Sequence, residues 1–81
     1  MAYEFDIDLA GDPADVLARV KKVAEERGGS LEGDAESGTF NGQGVFGTYR
    51  IEGATMRIAL TGKPFFLTWP AIETAVRSFF T

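Results

Sequence analysis

Hydrophobic and polar residues alternate from Tyr3 to Leu9: Tyr3, Phe5, Ile7 and Leu9 fall on one side, Glu4, Asp6 and Asp8 on the other. This period of two predicts a strand with one buried face. The three carboxylates read as a solvated face, one that also discourages edge-to-edge pairing. After Gly11 the period changes. Val16, Leu17, Val20, Val23 and Ala24 follow helical spacing, and the charged residues Arg19, Lys21, Lys22, Glu25 and Glu26 lie largely opposite. Asp12 suits the N-cap, Pro13 the first helical position and Asp15 the first turn, while Gly28-Gly29 supplies a left-handed stop. Ser30 to Gly33 predicts a short edge strand, with Leu31 as its apolar residue, before a turn at Gly33-Asp34.

From Gly38 onward two glycine-centred turns divide three strand-like pieces, an antiparallel meander. A turn at Gly42-Gln43 sets Phe40 opposite Val45 and Gly38 opposite Gly47. A second at Glu52-Gly53 sets Tyr49 opposite Met56, Gly47 opposite Ile58 and Val45 opposite Leu60. Moving it to Gly53-Ala54 preserves the apolar faces but places Arg50 across from Arg57, an unfavourable like-charge pair. The expected register therefore uses Glu52-Gly53. The outer face carries Thr39, Thr48, Arg50, Thr55, Arg57, Ala59 and Thr61, with Phe46 as the exception. Gly62-Lys63-Pro64 ends the last strand. A closing helix follows, capped by Thr68 or Trp69, with Ile72, Ala75, Val76, Phe79 and Phe80 on one stripe and the pair Glu73–Arg77 on the other side. The order β-α-β-β-β-β-α predicts one α+β domain over residues 1–81, an antiparallel sheet with two helices packed on one face. Setting the first strand beside the last lets Asp6 and Asp8 face Arg57 and Lys63.

Composition narrows the chemistry. The chain has 81 residues with no cysteine and no histidine, so disulfide, thiolate and imidazole chemistry are excluded. A net charge of −4 argues against nucleic acid and anionic lipid surfaces as partners. No apolar run has the length of a membrane span, and the start MAYEFDID is unlike a secretory signal, so a cytoplasmic location is expected.

Gly42-Gln43-Gly44-Val45-Phe46-Gly47 matches the dinucleotide fingerprint in letters, yet it leads into a strand rather than a helix. Its glycines are better assigned to a tight turn and close packing over the sheet. Asp12, Asp15, Asp34 and Glu36 match no cation-loop spacing. No catalytic, cofactor or metal residues are assigned, and no enzyme is expected. The segment with functional promise is Phe65-Phe66-Leu67-Thr68-Trp69, because so many large apolar side chains cannot all turn inward from one short corner.

The string Gly44-Val45-Phe46-Gly47-Thr48-Tyr49-Arg50-Ile51, the alternating strand after it, and Lys63-Pro64-Phe65-Phe66 leading to Ile72-Glu73 resemble small bacterial proteins, nearest in kind to the polyhydroxyalkanoic acid system family. The likeness spans about residues 38–81, after a similar strand–helix start. It implies association with storage granules and brings no catalytic residues. The chain departs from that family in its aromatic corner.

Two functions fit these features. The first is a non-enzymatic domain acting by protein contact or by self-association as a dimer, through Phe65, Phe66, Leu67 and Trp69. The alternative is a binder of a small hydrophobic ligand between the sheet and the C-terminal helix, with Gly38, Gly44 and Gly47 leaving room and Tyr49, Phe65 and Trp69 lining the pocket.

Overall fold

The computed structural model describes residues 2–80. Its elements are β1 (Tyr3–Asp8), α1 (Pro13–Glu26), β2 (Ser30–Gly33), β3 (Ser37–Gly42), β4 (Val45–Glu52), β5 (Thr55–Gly62) and α2 (Trp69–Phe80). The strands form one sheet in the order β1-β5-β4-β3-β2, with every neighbouring pair antiparallel. This is the α+β arrangement that the alternating and helical periods predict. β1 and β2 are the two edges.

The helix ends follow local chemistry. Asp12 occupies the N-cap of α1 with an extended backbone, but its carboxylate makes no capping hydrogen bond; its carbonyl accepts from Val16 N–H at 3.0 Å. At the other end the Gly29 N–H donates to Ala24 O and the Gly28 N–H to Glu25 O. With Gly28 at φ +84°, this is a Schellman stop, which a residue with a Cβ adopts only under strain. Thr68 caps α2: its hydroxyl accepts from Ala71 N–H at 3.3 Å and its carbonyl from Ile72 N–H at 3.1 Å.

Both meander turns sit one residue later than expected. Gly42 pairs with Val45 and Phe40 with Gly47, so the first turn is Gln43-Gly44. Both turn residues have positive φ, +53° and +85°, the sign pattern of a type I′ hairpin. At the second turn Glu52 pairs with Thr55, which centres it on Gly53-Ala54 and sets Arg50 opposite Arg57. The like charges tolerate this because each arginine has its own acid. Arg57 Nε lies 3.1 Å from Asp6 and Arg50 Nε 3.6 Å from Glu52, and both guanidinium groups are largely in water. Only Gly53, at φ +63°, needs a left-handed backbone here. Since each pairing moves by an even number of residues, every side chain keeps its expected face.

β1 lies beside β5, with Asp6 opposite Arg57, as the charge pattern suggests. Asp8 instead accepts from the Thr55 hydroxyl at 3.4 Å, and Lys63 turns to Trp69. A bulge interrupts β4–β5: Gly47 faces Leu60 but Phe46 faces Gly62, leaving Thr61 as the extra residue.

The core lies between the sheet and the helices. Met56, Ile58 and Leu60 of β5 are fully buried, flanked by Phe5 and Ile7 from β1, Val16, Leu17 and Val20 from α1, and Ile72 and Phe80 from α2. α2 lies along β1, α1 packs nearest β2, and the two helices touch. On the inner face, Phe40 of β3 and Val45 of β4 remain only partly covered.

Candidate functional site

The inner-face glycines are occupied. Gly47 lies under the Phe40 ring: a Cβ there would stand 2.9 Å from Phe40 Cε1. Gly38 lies under Tyr49, where a Cβ would stand 2.5 Å from the phenol oxygen. Gly44, in the turn, packs against Pro64 instead. The string that resembles a phosphate loop is therefore a hairpin over which rings pack.

Tyr49 belongs to that packing. It is 3 % exposed, and its hydroxyl donates to Asp34 O at 2.8 Å, tying β4 to the β2–β3 turn. Burial, and then the nearby Asp34 charge, push its phenol above the ordinary value. Within the turn the Asp34 carboxylate accepts from the N–H groups of Glu36 and Ser37, which hold it below the usual carboxylate range.

The aromatic corner divides in two. Phe65 is 95 % and Phe66 71 % exposed, their rings meeting edge-to-face at 5.7 Å. Trp69 is half-buried and stacks on Tyr3, with centroids 5.7 Å apart and planes 4° from parallel. Lys63 Nζ lies over its ring at 5.4 Å. Leu67 turns inward, its N–H bonded to Pro64 O.

Beside Trp69 a polar chain fastens β1 to α2. The Tyr3 hydroxyl donates to Glu73 at 2.7 Å, and Arg77 Nε donates to the other Glu73 oxygen at 2.8 Å. The Tyr3 hydrogen bond first, and the Arg77 hydrogen bond second, hold Glu73 below its ordinary range, while Glu73 raises the Tyr3 phenol. The Arg77 guanidinium also covers the Phe5 ring at 5.2 Å. Among the described residues no three acids gather as a cation site would require. No helix is long and apolar enough to cross a membrane.

A largely apolar concavity lies between the two helices. It is a cleft of about 390 Å³, floored by Leu31, Phe40 and Val45 and walled by Val20 and Ala24 of α1 and by Ala71, Ala75, Val76 and Phe79 of α2. This volume falls in the range of small-molecule sites. It exists because α1 and α2 cover opposite flanks of the sheet while their facing positions carry alanine. Of the residues that the sequence singled out, only Leu67 lines it; Tyr49, Phe65, Phe66 and Trp69 do not. The sequence signal for the cleft was the small side chains Ala24, Ala71 and Ala75 on otherwise bulky apolar stripes.

No protein-family model, curated protein or solved structure matches the chain.

Proposed function

We propose that the protein is a non-catalytic binder of a small apolar ligand, held between the sheet and the two helices. The observation that carries this reading is the 390 Å³ cleft, whose walls are aliphatic and aromatic side chains that the fold leaves partly uncovered. An apolar molecule entering it would remove that surface from water, at roughly 25 cal/mol per Å². The test is titration of the labelled protein with medium-chain aliphatic compounds, followed by two-dimensional NMR. The expected result is saturable shifts at Phe40, Val45, Ala71, Ala75 and Val76, with Thr39 and Thr48 on the outer face unmoved. Absence of saturable shifts across such a panel would overturn the reading.

A second reading, contact with a protein partner or a second copy, is favoured by one observation: Phe65 and Phe66 stand largely in solvent, their rings set against each other. Sedimentation across a concentration series tests the second copy. Self-association that disappears in Phe65→Ser/Phe66→Ser would support it, and a monomer at every concentration would remove it.

A further inference from the structure

The cleft is polar at one end only. Its polar lining residues are Arg27 at the end of α1, Ser30 at the start of β2, Asn41 at the end of β3 and Gln43 in the β3–β4 turn. The register places these at one end of the sheet, because Ser30 pairs with Asn41 and the Gly29 backbone presses against Asn41 O. Farther in, the lining is apolar, with Leu31, Ile72 and Phe80.

Among the described lining residues Arg27 is the one that is charged, and none is acidic. Its guanidinium lies over the Phe79 ring, 5.5 Å from the centroid, and forms no ion pair among the described residues. A cation placed over an aromatic wall of an apolar cleft, on a chain of net charge −4, is a local reversal of sign. Its planar fork matches one carboxylate. The Asn41 amide, which donates to Ser30 Oγ at 3.0 Å, alternates with Phe40 and so lies on the outer face beside Phe46, leaving Arg27 as the partner for a charged head.

We infer that the ligand is a single-chain aliphatic monocarboxylate, its head at Arg27 and its tail along α2. The wall from Ala71 to Phe79 extends about 12 Å along the helix axis, room for a medium-length chain. This inference rests on the apolar-ligand reading and adds the charge of the head and the direction of the tail.

Decanoate and 1-decanol, below their aggregation limits, separate the two levels by calorimetry. Decanoate binds the native protein about tenfold or more tightly than decanol, and Arg27→Met, which keeps an apolar stem on Phe79, removes that advantage so that the two compounds bind alike. Arg27→Lys restores part of it. In the native protein alone, added salt weakens decanoate but not decanol, so the result does not depend on the variant folding. Equal binding of both compounds, insensitive to salt and to Arg27→Met, overturns the carboxylate head and leaves the apolar site standing. Binding of neither overturns both.

Discussion

The Tyr3 hydroxyl and the Glu73 carboxylate meet at 2.7 Å across a sequence separation of 70 residues, joining the first strand to the last helix. Because Glu73 is held below its ordinary range in the folded chain, its contribution to stability is fully present above the unfolded value of about 4.3. It is lost as the pH falls through the depressed folded value. Asp34 acts in the same direction, from the N–H groups of Glu36 and Ser37. At the alkaline end Tyr3 and Tyr49, both raised, give stability present below about 10 and lost as the pH rises through their folded values. Urea midpoints measured from acid to neutral pH should fall on the acid side, and Glu73→Gln should flatten part of that fall. An unchanged acid limb in the variant would remove Glu73 from the account.

Gly38→Ala should destabilise the fold by about 1–3 kcal/mol, the usual range for overpacking. The new methyl would meet both the Tyr49 oxygen at 2.5 Å and Tyr49 Cε1 at 2.6 Å. Adding Tyr49→Phe should therefore not restore stability, since the ring carbon remains. Chemical denaturation of the single and double variants reads this directly.

Gln43→Asn should stabilise the protein by roughly 0.5 kcal/mol or more, because asparagine tolerates the left-handed backbone better and Asn-Gly is the preferred type I′ pair. Gln43 now holds φ +53° without that advantage. A thermal melt of the variant checks the sign.

Ala75→Leu should narrow the cleft from the α2 side. Apolar ligands should weaken at least tenfold, while stability changes by less than about 1 kcal/mol or rises, as cavity filling often does. Calorimetry with 1-decanol, paired with a melt, distinguishes a blocked site from an unfolded protein.

Much of the fold was legible because burial leaves a period. Tyr3-Phe5-Ile7-Leu9 and Val16-Leu17-Val20 marked β1 and α1, and both fall in the core, Tyr3 partly. The hairpin registers were less visible. Gly42-Gln43 against Gln43-Gly44, and Glu52-Gly53 against Gly53-Ala54, preserve the same side-chain faces, so hydrophobicity cannot choose between them. The repulsion of Arg50 and Arg57 favours Glu52-Gly53, but acids in neighbouring positions, Glu52 and Asp6, neutralise it. The aromatic corner could be located but not divided: nothing local in Phe65-Phe66-Leu67-Thr68-Trp69 says that Tyr3 provides a stacking surface for Trp69 alone. The cleft was hidden because a cavity is made by what is absent, and alanine on a helix stripe reads as ordinary core.

The position of β5 between β1 and β4 bears on how the chain reaches this state. β2, β3, β4 and β5 pair as consecutive hairpins, whereas β1 must wait for a strand far along the chain; Asp8 and Thr55 are 47 residues apart. Local pairings close cheaply and distant ones late. The meander should thus serve as the folding nucleus, with β1 and α2 docking afterwards. In stopped-flow chevrons Gly38→Ala should act chiefly on the refolding arm and Tyr3→Phe chiefly on the unfolding arm. The Tyr3–Glu73 clasp would then govern how long the native state lasts rather than how fast it forms.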